Sequence, residues 1–253
     1  ILKQDKLIPS YILTGFCCMF DRCETDGPLG SSILCSTLRS LGFNTILLTD
    51  SYSEPVVRAA ALENPVLITN EPSNIGKISF IISVERPGRS RKTKDFRTMS
   101  ARDISHCTAP IDTLFPLIGE DKKEYLTIGV GDGGNEVGTG NIADHVCKNI
   151  KHGEEICTSV CADIVIMAGV SNWGAIAIAA ALIIASNNIE AAKSFIEQCN
   201  KQSQSLQKMI DAGSFDGCTG KSELSIDNMM YDKEHLNITS SLISIVKEVY
   251  NLD

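Results

Sequence analysis

No C-x-x-C pair, no H-E-x-x-H motif and no apolar stretch of membrane-spanning length occurs in this 253-residue chain, and each lack removes a class of function. The four histidines (His106, His145, His152, His235) are scattered without zinc-ligand spacing, so a zinc site is not expected. The ten cysteines sit mostly inside apolar runs (Cys17, Cys18, Cys35, Cys147, Cys161) and read as free thiols of a reducing, intracellular compartment rather than a disulfide scaffold. The longest apolar run, residues 175–185, is too short to span a bilayer. Positive charge is also scarce: 23 Lys and Arg against 31 Asp and Glu leave a formal charge of −8 and a pI near 5.1. That balance lacks the broad basic face needed by a nucleic acid or an anionic membrane, so neither is an expected partner. The chain begins at Ile1 without methionine or a signal-like segment and is expected to be a piece of a longer sequence.

What remains is an ordinary globular composition, 43% hydrophobic and 21% charged. Short β-branched runs alternate with longer amphipathic ones, the rhythm of parallel βαβ units. Strands are expected at 11–18, 45–49, 66–69, 79–84, 125–130 and 163–168. Helices are expected at 30–41, 54–63, 136–150, 173–185, 190–212 and 235–250. The fold class is therefore α/β, a doubly wound, mainly parallel sheet with helices on both faces, formed by residues 1–253 as a single domain. Residues 85–110 are charged and poorly periodic and read as an excursion over the sheet edge. Five of the eight arginines fall between Arg86 and Arg102, a local excess that suits a small anionic substrate or a solvated loop.

In an open parallel sheet ligands gather beyond the carboxyl ends of the strands, so the residues following each strand are informative. Glu24, Thr25, Asp26 and Gly27 follow the first, Asp50 the second, and Glu85, Arg86, Pro87 and Gly88 the fourth. The fifth runs into Gly129, Val130, Gly131, Asp132, Gly133, Gly134, Asn135 and Glu136, and the sixth into Gly169, Ser171, Asn172 and Trp173. The glycine segment reads as a strand, a turn and a helix start. The backbone N–H groups of the turn from Gly131 to Glu136 are expected to bind the anionic part of a ligand; a tight turn that merely needs glycine is the alternative. The dinucleotide fingerprint is excluded, because the spacing is G-x-G-x-G-G and no isolated acid ends a strand about 20 residues on.

Several carboxylates together can bind a divalent cation, bind an ammonium group, or raise one another's pKa so that one becomes a general acid; the sequence leaves all three open. Arg86 is the natural partner of a substrate carboxylate, or else of Glu85 or a neighbouring loop. Asn172 could orient a ligand, and Trp173 could wall a pocket or simply pack. Ser171 fails the nucleophile test, since its surroundings read G-x-S-x-x-G rather than G-x-S-x-G. Cys218 lacks a paired base, and Asp216 with its glycines marks a tight loop between the last long helices.

At these residues the chain resembles the D-glutamate cyclase family, in its C-terminal glutamate-cyclase-like domain. The matching motifs are E-T-D-G-P at 24–28, E-R-P-G at 85–88, D-I-S at 103–105 and P-I-D-x-L-F at 110–115. G-V-G-D-G-G-N-E at 129–136, H-G at 152–153 and A-G-V-S-N-W-G at 168–174 continue the match in order. The chain departs from the family at Thr98 and Ser100, where asparagine and arginine are usual, and at Asn141, where lysine is usual; Arg97 or Arg102 could compensate. The resemblance implies a hydro-lyase that cyclises D-glutamate, a small anionic amino acid, to 5-oxo-D-proline. It implies no required cofactor, with a divalent cation and a homo-oligomer left open. It places the chain in the mitochondrial matrix, or the cytoplasm if the domain stands alone.

Such a reaction needs a deprotonated amine, a polarised carboxyl and a clamp that folds the substrate. Asp26 or Glu85 is expected to accept the amine proton, and Asp132 or Glu136 to protonate the departing hydroxide. Gly131, Gly133 and Gly134 would stabilise the oxyanion and Arg86 would hold the α-carboxylate, with Glu24, Thr25, Asn135, Ser171 and Asn172 completing the binding set. Two other classes stay open: a metal-dependent phosphate- or nucleotide-handling enzyme, and a non-catalytic ligand-binding domain.

Overall fold

The computed structural model describes residues 1–19 and 21–252; Phe20 and Asp253, inside the expected 1–253 domain, lie outside the described residues. The chain runs through strand β1 (Ser10–Thr14), the antiparallel pair β2 (Cys17–Met19) and β3 (Arg22–Cys23), helix α1 (Pro28–Ser40), β4 (Thr45–Thr49) and α2 (Glu54–Ala60). It continues with β5 (Val66–Ile68), β6 (Phe80–Val84), β7 (Leu126–Gly131), α3 (Ala143–Asn149), α4 (Gly153–Ile156), β8 (Ile164–Met167) and α5 (Ser171–Ser186). Helices α6 (Ile189–Asn200) and α7 (Gln202–Asp211), the hairpin β9 (Ser225–Ile226) with β10 (Met229–Met230), and α8 (Leu236–Tyr250) complete it.

Six strands form one parallel sheet in the order β5-β4-β1-β6-β7-β8. Counting only these six, the order is third-second-first-fourth-fifth-sixth, the doubly wound α/β arrangement, and its direction reverses between β1 and β6. Alternation divides each strand between two cores. Ile12, Leu47, Ile82 and Val130 face α1, α5 and α6 through Leu34, Ile176, Ala179 and Phe195. Tyr11, Leu13, Leu48 and Ile81 point the other way, beneath Ile111, Leu114, Phe115 and Val160. That third layer is made largely of short turns and extended segments. A third cluster caps the carboxyl edge of the sheet, joining Phe16 and Cys23 to Phe96, Ile104, Met209, Phe215 and Tyr231. Among the described residues no helix is long and apolar enough to cross a membrane.

Three expected elements change shape. The strand expected at 11–18 ends at Thr14, because Gly15 takes φ +105° and turns the chain away from the sheet. The helix expected at 136–150 begins only after a 3-10 turn at Gly140–Ile142. Gly138 lies against the backbone of Gly129 and Gly140 against that of Val160, so this stretch is held in tight turns beside β7, with Thr139 N–H donating to the Glu136 carbonyl, before it can coil. The long helix expected at 190–212 is two. Gln202 Nε2 donates to the Cys199 carbonyl at the break, after which Leu206 and Met209 of α7 join α2 in the cap while α6 stays with α1.

Candidate active site

The segments leaving β1 and β6 carry the acids to the point where the sheet reverses. Asp26 closes the N-terminus of α5: Gly27 and Asn172 N–H donate to its Oδ1 (2.9 and 2.8 Å) and Ser171 N–H to its Oδ2 (2.8 Å). Asn172 returns the favour at the start of α1, where its Oδ1 accepts from Gly27 and Gly30 N–H (3.1 and 2.6 Å) and its Nδ2 donates to the Thr25 carbonyl (3.2 Å). This exchange satisfies orphan donors of both helices. It needs glycine at position 30, where a Cβ would stand 2.7 Å from the Asn172 carbonyl oxygen. Thr25 is fixed in turn by donating from Oγ1 to the Ser225 carbonyl (2.9 Å).

Glu85 leaves β6 in the left-handed region, φ +46°, a conformation that costs a non-glycine residue energy and collects at functional sites. Ser171 Oγ donates to its Oε2 at 2.6 Å. Beyond it, Val137 N–H donates to the Arg86 carbonyl and Gly88 N–H to that of Asn135, which zips the E-R-P-G segment onto the glycine turn. Within that turn Glu136 folds back on the backbone. Asp132 and Gly133 N–H donate to its Oε1 (3.1 and 2.6 Å) and Gly134 N–H to its Oε2 (2.7 Å). The donors expected to receive a ligand anion are thus filled by the chain's own carboxylate, and no helix starts behind them. Gly131 ends β7 beside that carboxylate, which a Cβ would approach to 2.8 Å.

These pieces enclose a cavity of about 550 Å³. Glu24, Glu85, Asp132, Glu136 and Asp227 supply its acids; Phe16, Met19 and Met99 are among its apolar walls. Carboxylate oxygens of Asp26, Glu85 and Asp132 lie within 4.8 Å of one another, so the structure brings together three of the four expected catalytic acids, with Glu136 lining the same cavity. Burial and mutual repulsion shift them. Glu85 is raised well above the usual carboxyl range by burial, then by Asp132, Glu136 and Asp26. Asp132 is pushed up to about 11 by burial, Asp26 and Glu136, so it holds its proton at neutral pH. Asp26 is more deeply buried, but its three N–H bonds restrain the rise to about 6. Glu24 is raised by burial and Asp227, with Cys18 Sγ donating to its Oε2.

Arg86 does not line this cavity. It is 1% exposed and spends its guanidinium on Asp50 Oδ2 (2.6 Å) and the carbonyls of Gly15 (3.0 Å) and Ala109 (2.8 Å). Burial alone would raise the Asp50 carboxyl, but Arg86 and the Ala109 and Ser53 N–H bonds outweigh it and hold it below the usual range. The expected carboxylate clamp is therefore a structural pair, joining the ends of β4 and β6 beneath the site. Asn172 and Ser171 are likewise committed inside the chain. Trp173 packs: its Nε1 donates to His235 Nδ1 (2.8 Å), whose Nε2 meets the Ile226 carbonyl.

Sequence reasoning missed Asp227 and the part Asp216 plays beside it. Asp227 and Asn228 both take positive φ, 53° and 63°, between β9 and β10, a two-residue turn for which an Asx-Asx pair flanked by apolar residues is a readable signal. Asp216 organises this loop by accepting from Cys218 and Thr219 N–H at Oδ1 and from Ser225 Oγ and Asn228 N–H at Oδ2. Asp227 Oδ2 is buried without a partner, and burial, Asp26 and Asp216 push the carboxyl up to about 8. Thr98 and Ser100, the positions departing from the family pattern, both line the cavity; Arg97 does not, being held by Asp95 and the Ala101 carbonyl.

A protonated carboxyl beside carboxyls that titrate near neutrality can donate and accept protons at one place. The Asp26, Glu85 and Asp132 oxygens could also hold a divalent cation, which takes oxygen ligands of this kind. A family model described as D-glutamate cyclase-like, C-terminal matches residues 1–243. Among curated proteins, the human D-glutamate cyclase, mitochondrial, is 30% identical over 211 residues. That match covers 74% of this chain and 32% of the human protein, so the chain spans about a third of that relative's length.

Proposed function

The chain belongs to the D-glutamate cyclase-like, C-terminal family, and on that footing we propose that its acid-lined cavity cyclises D-glutamate to 5-oxo-D-proline with loss of water. The observation that carries the reading is the pairing, in one cavity, of a carboxyl that stays protonated at neutral pH, Asp132, with one that titrates near 8, Asp227. A base matched to the working pH is effective at taking a proton from an ammonium group. Asp227 receives one ammonium proton through its unpartnered oxygen and passes it to the distal carboxylate, the freed amine attacks that carbon, Asp132 protonates the hydroxyl that leaves, and the second nitrogen proton restores Asp132. Two protons leave nitrogen and two join the departing oxygen, so no redox partner is needed. Asp26 and Glu136 keep the Asp132 proton in place by repelling its anion, and Glu136 also holds the turn that carries it.

The human relative's name supports both the substrate and a mitochondrial location. The test is incubation of the purified chain with D- and L-glutamate, with and without chelator, and chiral chromatography of 5-oxoproline. Product from D-glutamate alone, lost roughly 100- to 10,000-fold in turnover in Asp132→Asn, is the expected result. Activity abolished by chelator favours a second reading, a divalent cation among Asp26, Glu85 and Asp132. Inactivity of the isolated chain under every condition favours a ligand-binding role.

A further inference from the structure

A D-glutamate molecule bound for cyclisation carries two carboxyl groups with opposite needs. The distal one must sit among the acids to gain protons, whereas the α-carboxylate stays charged and has to be kept from them by a cation. Among the described residues that line the cavity, Arg102 is the one cation. It lies on a hairpin over residues 97–103, where Thr98 N–H donates to the Arg102 carbonyl and Arg102 N–H to Thr98 Oγ1. That hairpin is pinned to the glycine turn by Asn135 Nδ2, which donates to the Arg97 carbonyl at 2.7 Å, and Met99 lies over Gly133, whose Cβ would meet its sulfur at 2.5 Å. Arg102 therefore overhangs the acids from a fixed support. Its side chain is 48% exposed and its ion pair with Asp21 is long, 3.5 Å, while Asp21 also meets His106 at 2.8 Å. Arg86, Arg89 and Arg97, by contrast, are each held by short bonds to Asp50, Asp112 and Asp95.

We infer that Arg102 is the residue that recognises the substrate's α-carboxylate, and so selects an α-amino acid over the amine that lacks this group. The inference rests on the cyclisation proposed above. Its guanidinium leaves Asp21 for the stronger, forked pairing with the incoming carboxylate, which leaves the amine and the distal carboxyl directed inward to Asp227 and Asp132.

4-Aminobutanoate isolates this contact, since it keeps the amine and the distal carboxyl of glutamate and lacks only the α-carboxylate. Binding of D-glutamate and of 4-aminobutanoate is measured by titration calorimetry on the wild type, Arg102→Gln and Arg102→Lys. Loss of a hydrogen-bonded charge pair should weaken D-glutamate roughly 10- to 100-fold in Arg102→Gln while 4-aminobutanoate changes far less, with partial recovery in Arg102→Lys. Equal weakening of both ligands would reveal a merely structural role and overturn the inference, as would undiminished selectivity. Selective binding that is lost in Arg102→Gln, without 5-oxoproline from the wild type, upholds the clamp and sinks the cyclisation. A wild type that binds neither ligand sinks both.

Discussion

Replacing Arg86 with methionine is the sharpest way to separate a ligand clamp from a structural pair. The substitution removes the 2.6 Å bond to Asp50 and the bonds to the Gly15 and Ala109 carbonyls, all of them buried. Removing one partner of a buried pair leaves an uncompensated charge, at a cost of about 3 to 5 kcal/mol. For a chain of this size that is a fall of roughly 10 °C in Tm. Urea unfolding followed by the fluorescence of Trp173, the sole tryptophan, reads the change as a lower midpoint at unchanged slope. The pH dependence adds an independent check. Asp50 has its folded pKa depressed, so its pairing with Arg86 stabilises the fold above the unfolded value, about 3.9, and that stability is lost as pH falls through the folded value. In Arg86→Met burial acts without the guanidinium, and Asp50 can shed its charge by protonation, so the gap between variant and wild type should narrow toward acid pH. Asp50→Asn combined with Arg86→Met should recover part of the loss for the same reason. Unchanged stability together with weakened D-glutamate binding would refute this reasoning and return Arg86 to the substrate.

Three further outcomes follow from the same geometry. Turnover should rise with pH through about 8 as Asp227 ionises and fall toward about 11 as Asp132 loses its proton; a pH–rate profile checks this, and Asp227→Asn should remove the lower limb. Asp132→Asn should slow turnover yet raise Tm between pH 7 and 8, because a carboxyl whose folded pKa is raised destabilises the fold progressively as pH rises above its unfolded value, a penalty that asparagine does not carry. Asn172→Ala should lower stability by about 1 to 3 kcal/mol in urea unfolding, since it strips the Gly27 and Gly30 donors of their acceptor at the start of α1, and an unaltered midpoint would contradict the shared-cap reading.

Local chemistry carried the architecture. Short apolar runs at 45–49 and 79–84 became β4 and β6 with nearly the same bounds, since a buried parallel strand is written in consecutive β-branched and aliphatic residues. The acids expected at strand ends do converge, because parallel strands in one sheet put their carboxyl ends on one edge whatever the loops between them do. Side-chain partners were another matter. Arg86 and Asp50 are 36 positions apart and Asp26 and Asn172 are 146, and nothing in either neighbourhood says which residue the other crossover will deliver. Glu136 was read as facing a ligand, yet it could reach its own turn's N–H groups, and an anion with three donors in reach takes them before a ligand arrives. Asp227 lies beyond helices α5, α6 and α7 from the other acids in sequence, and enters the cavity only because α7 packs on α2 and returns the chain across the sheet edge. Sequence thus determined which residue types stand at the ends of which strands, a property of short-range periodicity. Tertiary structure alone decided which of them keep a free polar group facing the cavity, because that depends on donors and acceptors brought together from distant segments.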